Sequence, residues 1–169
     1  MNAATSTFSV SVDPGQLHFN AAHFITFNNS CENLHGHNFH VRVDACGQRD
    51  GDALVIDFVL MSRIAEKICR QLHDKILLPA DSAEIDIQEH EDCYHVRSYD
   101  KRFMFPAENC CLLPVSNATA EMLAWHICNQ LVEALRRQNA LANVQEVEVA
   151  VEEADRQWGI VRQRVAGHD

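Results

Sequence analysis

No apolar run in this chain approaches the roughly 18 residues that cross a bilayer, so a helical membrane span is not expected. Glycine and proline are scarce, at 6 and 4 in 169 residues. No Ser- or Pro-rich tract or internal repeat breaks the sequence, which predicts a single domain over residues 1–169. Positive charge is also short: 14 Lys and Arg stand against 24 Asp and Glu, a net charge of −10. Such a surface repels phosphate backbones and anionic lipid, so neither nucleic acid nor a membrane is the expected partner. Seven cysteines occur without a Cys-x-x-Cys pair, against a zinc ribbon or a thioredoxin-type site. Residues 1–8 carry no basic-then-apolar leader. These absences predict a reduced, cytoplasmic protein whose cysteines are mostly small core residues. The 47% apolar and 22% charged composition is that of a chain able to bury a core.

What is present is periodic. Phe8, Val10 and Val12 alternate with serines, Asp13-Pro14-Gly15 reads as a turn, and Leu17, Phe19, Ala21 and His23 resume a period of two, which predicts a hairpin. From His35 to Ala45 the alternation is strict. His35, His37, Phe39, Val41, Val43 and Ala45 share one face, and Asn38, His40, Arg42 and Asp44 the other. Asp57 reads as an N-cap ahead of Phe58, Met61, Ile64, Ala65, Ile68 and Leu72 at helical spacing, a helical region closed by Pro79. Short strands follow in an insert at about 82–113. A second helix is predicted from about Thr119 to Gln138, then a strand through Val147, Val149, Val151 and Glu153 and a turn to Trp158. Strands, helix, insert, helix, strands is an α+β order with an antiparallel sheet.

His35-Gly36-His37 is the strongest local signal. Residues i and i+2 of a strand face the same way, about 6.5–7 Å apart at Cα, so two imidazoles can converge on one ion. His23 ends the preceding strand on its apolar face and reaches the same ion if the two strands pair antiparallel. Three nitrogen ligands with one position open is the layout of catalytic zinc. His40 points the other way, and His18, His90, His95, His126 and His168 read as surface or core histidines.

The pieces Phe19-Asn20-Ala21-Ala22-His23, Cys31-Glu32-Asn33-Leu34-His35-Gly36-His37, Val55-Ile56-Asp57-Phe58, Asn117-Ala118-Thr119-Ala120-Glu121 and Val151-Glu152-Glu153-Ala154 resemble the 6-pyruvoyl-tetrahydropterin synthase / 6-carboxy-tetrahydropterin synthase family. The resemblance covers nearly the whole chain apart from the insert. It implies a tunnelling fold, an antiparallel four-stranded sheet with two helices on one face, in trimers that stack into hexamers with active sites between subunits. It implies Zn2+ on His23, His35 and His37, and 7,8-dihydroneopterin triphosphate as substrate. The Cys-x-x-x-His-Gly-His spacing is similar to that of the queuosine-pathway enzymes, which make 6-carboxy-tetrahydropterin.

The same resemblance assigns further roles. Cys31 is the expected base, needing only a modest fall in its thiol pKa. Glu32 adds a carboxylate to the same loop, as in relatives that release 6-hydroxymethyl-dihydropterin for folate. Glu153 is the expected pterin anchor, because the 2-amino-4-oxo edge presents adjacent N–H donors that a carboxylate accepts in pairs. Thr119 matches a residue near the pterin and equally reads as a helix cap. His73 and Asp74 stand in reversed order relative to the family's Asp-His proton shuttle. On a helix, neighbouring positions diverge by about 100°, so the order decides where the imidazole points. That reversal keeps open a homologue that binds zinc and pterin without turnover.

Overall fold

The computed structural model describes residues 6–13 and 15–165; Pro14 and His168, both read from the sequence, lie outside them. The elements in chain order are β1 (Phe8–Val12), β2 (His18–His23), β3 (Thr26–Phe27), β4 (Ser30–Cys31), β5 (His35–Gly47), α1 (Phe58–Leu72), β6 (Lys75–Pro79), β7 (Asp86–His90), β8 (Cys93–Ser98), β9 (Lys101–Pro106), a 3-10 turn (Ala107–Asn109), β10 (Cys110–Leu113), α2 (Ala120–Arg137), β11 (Val144–Ala154) and β12 (Gln157–Arg164). The main sheet runs β10-β6-β2-β5-β11-β12, with β1 also on β5.

β5 organises this sheet. Its strict alternation buries Phe39, Val41, Val43 and Ala45 on one face, and its 13 residues seat two partners end to end on one edge. β1 pairs antiparallel from Phe8↔Gly47 to Val12↔Val43, and β2 from His18↔His40 to His23↔His35. The predicted β1–β2 hairpin is therefore replaced by two collinear strands separated by residues 13–17. Leu17 is buried in that break and accepts from Val41 N at 2.8 Å. β11 takes the opposite edge of β5, and β12 follows antiparallel.

Asp57 caps α1 as the sequence predicts, Oδ1 accepting from Val59 N at 2.7 Å and Leu60 N at 3.3 Å. The helix ends at Leu72. Lys75–Pro79, read as helical, is instead a strand parallel to β2, and β10 adds to it in parallel. The four-stranded antiparallel unit β2-β5-β11-β12 is thus extended by two parallel strands into a mixed sheet. Both helices cover one face, where Phe19, Met61, Leu72, Leu123, Ile127, Leu131, Val147, Val149 and Val151 form the core. Gly159 lets β12 run beneath the start of α2, since a Cβ there would lie 2.3 Å from the Ala120 carbonyl carbon. The insert strands β7, β8 and β9 form their own antiparallel sheet over a second, smaller core. All seven cysteines are free thiols.

Candidate metal centre

The β2–β5 register sets His23 directly opposite His35, with His37 two residues along the same face. The ring centroids lie 4.6 Å (His23–His35), 5.0 Å (His35–His37) and 5.2 Å (His23–His37) apart. One ligand atom from each of these rings and one from Glu153 all fall within 4.8 Å of one another. Phe39 packs edge-on against His23 and His37 and forms the floor.

Backbone carbonyls fix the rings. His23 Nδ1 lies 2.7 Å from Ala118 O, and His35 Nδ1 2.8 Å from Asn33 O. A carbonyl only accepts, so each Nδ1 carries the proton and each Nε2 presents a lone pair. This is the outer support that metal-ligating histidines use. The Ala118 carbonyl is itself held by the Asn117 side chain, which donates to Thr26 O and accepts from Thr26 N and Ala118 N.

His23 is fully buried, and among the described residues its Nε2 finds no hydrogen-bond partner. Burial pushes its pKa down to about 4 against the Ala118 contact, with His35 and His37 adding to the fall, so the ring is neutral at pH 7. Glu153 Oε1 stands 3.0 Å from that Nε2 and 3.7 Å from His37 Nε2. A lone pair and a carboxylate oxygen at this distance are drawn together by a shared proton or by a metal ion. Three imidazole nitrogens and a carboxylate are a donor set suited to zinc. Burial raises the Glu153 pKa; His37 and His35 oppose that, and Glu121 and Glu32 reinforce it. The residue read as a pterin anchor therefore stands among the metal donors.

The loop residues part company. Glu32 is exposed, and its charge reaches Glu153. Cys31 is 3% exposed, packed with Phe24, Leu78, Ile85, Val96 and Phe105 under the insert, its Sγ donating to Glu32 O. Burial raises its pKa, with Ser98 and Lys101 pulling the other way. In the metal-free chain the Cys31 pKa moves opposite to the expected fall, because the insert desolvates a thiol that the sequence places in a polar loop.

Thr119 caps α2, Oγ1 accepting from Met122 N at 3.4 Å. His73 and Asp74 lie in the turn after α1, not on the helix, so the helical-spacing argument for them does not apply. His73 Nδ1 accepts from Asn20 N at 3.3 Å, its ring sits 6.4 Å from His18, and Asp74 Oδ2 is 3.6 Å from its Nε2. Asp74 lines an open cleft with Asn20, Ala22, Gly36 and His37. The histidine of this pair is not brought to the three converged imidazoles. Asn33, Asn117 and the Ala118 carbonyl carried no signal of a supporting role, since a backbone carbonyl has no sequence signature.

The sequence profile of the 6-pyruvoyl tetrahydropterin synthase family matches residues 15–164. A Methanocaldococcus jannaschii protein provisionally named 6-carboxy-5,6,7,8-tetrahydropterin synthase is 30% identical over 138 residues, 81% of this chain and 84% of its own length. A Plasmodium vivax 6-pyruvoyltetrahydropterin synthase structure, in which a catalytic glutamate is replaced by alanine, superimposes with a TM-score of 0.89 at 31% identity, covering 95% of this chain and 100% of that one. The Plasmodium falciparum enzyme gives 0.87 at 29% identity with the same coverage.

Proposed function

Because the chain belongs to the 6-pyruvoyl tetrahydropterin synthase family, we propose that it is a zinc-dependent lyase converting 7,8-dihydroneopterin triphosphate to 6-carboxy-5,6,7,8-tetrahydropterin, a step toward queuosine. One water is consumed, and triphosphate and acetaldehyde are the other products. The observation that carries this reading is the convergence of three imidazoles, two with Nδ1 fixed by a carbonyl, around a point faced by Glu153. The names of the archaeal relatives support the carboxy product. His23, His35 and His37 would hold the zinc, which when bound supplies Lewis-acid polarisation of the side-chain oxygens.

The chain's own residues do the rest. Glu153 accepts from the adjacent N–H donors of the pterin edge and orients the ring. Phe39 closes the floor against water. A loop base, Cys31 or Glu32, takes the side-chain proton. Assembly into a cytoplasmic homohexamer with sites between subunits would let His73 and Asp74 serve a neighbouring copy, where they relay that proton. Thr119 remains a pterin-side residue only if its hydroxyl can serve the ligand while capping α2.

One observation favours a second reading, release of 6-hydroxymethyl-dihydropterin for folate. Glu32 is exposed and its charge is felt at Glu153, whereas Cys31 is buried, and a glutamate is the catalytic residue named for the P. vivax relative. Incubating zinc-loaded protein with dihydroneopterin triphosphate and identifying the pterin by mass spectrometry tests both. The 6-carboxy product supports the first reading; the hydroxymethyl or pyruvoyl product replaces it. No product at all leaves a zinc- and pterin-binding homologue. Cys31→Ala and Glu32→Ala then assign the base, whose loss costs about 10²–10⁴-fold in kcat.

A further inference from the structure

The insert supplies no reacting group to the chemistry above, yet it touches the chain beside two of the three converged histidines. Phe103 of β9 stacks on Phe24 at 4.8 Å and 20°, and Phe24 follows His23 directly. Phe105, Val96 and Ile85 close over Phe24 and Cys31 as one buried cluster. The tight turn between β8 and β9 is pinned by Ser98, 1% exposed, whose Oγ donates to Glu84 O at 3.0 Å. That turn presents Lys101, whose Nζ donates to Asn33 Oδ1 at 2.8 Å across 68 residues of sequence. The carbonyl of the same Asn33 holds His35 Nδ1 at 2.8 Å.

We infer that the insert clamps the metal loop and that Lys101 is a positioning residue for the zinc site, acting through Asn33 on His35. The inference rests on the reading that His23, His35 and His37 hold zinc. Its physical content is short. Asn33 lies in a loop with no ladder hydrogen bonds of its own, so its carbonyl direction is set by what restrains the residue. Lys101 supplies that restraint at the side chain, from a turn that is itself anchored in a packed core. With the carbonyl aimed, His35 keeps its proton on Nδ1 and its lone pair on Nε2, turned toward His23 and His37. Without it, Asn33 samples other conformations, and each costs His35 its fixed tautomer and orientation. The apolar stacking on Phe24 and the polar contact on Asn33 thus brace the two facing strand ends, one ligand each.

The test is zinc affinity measured without substrate, by competing the zinc-free protein against a chromophoric chelator. Loss of the hydrogen bond that orients a ligating histidine lowers metal affinity about 10–100-fold, which is the upper bound for Lys101, one contact further out. Lys101→Met is expected to show that loss with an unchanged circular dichroism spectrum, and Lys101→Arg, which keeps a donor, to recover most of it. Asn33→Ala should lose a similar factor, and the Asn33→Ala/Lys101→Met double variant no more than either alone, since both break one relay. Unchanged zinc affinity in Lys101→Met overturns the inference, including the case in which KM rises because Lys101 simply meets the substrate's phosphates. A folded wild-type protein that binds no zinc overturns the metal reading and this inference together, a result distinguishable because it appears before any substitution is made.

Discussion

At the scale of single residues, the centre is decided by which nitrogen of each imidazole carries its proton. Ala118 O and Asn33 O settle that for His23 and His35, and Glu153 faces the same point from β11. Glu153 is the proposed pterin anchor and stands among the candidate metal donors. Glu153→Ala is therefore expected to raise KM about 10- to 100-fold, the worth of a charge-assisted hydrogen bond of about 1.5–3 kcal/mol, while zinc content stays that of wild type. Loss of zinc with unchanged KM would make it a ligand instead. The three histidines were legible in the sequence because a strand's period of two is simple and His35, His37 and the apolar residues after them obey it. Cys31 was legible only in part: its neighbours in sequence are polar, but the surface that buries it comes from Ile85, Val96 and Phe105, residues more than fifty positions away.

At the scale of elements, local chemistry and tertiary pairing divide the credit. The N-caps at Asp57 and Thr119 and the helical spacing behind each were readable because every group involved lies within one turn. Asp57→Ala removes a side chain that accepts from two backbone N–H groups, and chemical denaturation should show a loss of about 1 kcal/mol. Lys75-Ile76-Leu77-Leu78-Pro79 was misread as helix because a short apolar run carries no period that separates the two conformations. What makes it a strand is the exposed edge of β2, where Ala21 and Ala22 pair with Lys75 and Ile76. The supposed hairpin failed for a related reason: β5 is long enough to pair with β1 and β2 in series, a fact about the partner that neither short strand encodes.

At the scale of the molecule, the face of the sheet away from the helices carries its own electrostatics. Glu148 on β11 accepts from Arg42 on β5 and Arg162 on β12, while Arg42 also holds Asp44 and lies over Trp158. Burial alone would raise the Glu148 pKa, but the Arg162 and Arg42 hydrogen bonds outweigh it and bring it below the ordinary 4.5. A carboxylate depressed in the folded state contributes stability that is fully present above about pH 4.5 and is lost as pH falls through the folded value. Glu148→Gln should lower stability at pH 7 by about 1 kcal/mol and flatten its decline below pH 4.5, read by thermal melts across pH. The same linkage logic applies to the proposed zinc: an ion held only by the folded chain's assembled histidines should raise the melting temperature of zinc-free protein. Everything proposed for the active site depends on that ion, and metal analysis of the purified, zinc-equilibrated protein tests it most directly. The account predicts about one zinc per chain in wild type and almost none in folded His35→Ala. Equal zinc in the two, or none in folded wild type, would contradict it.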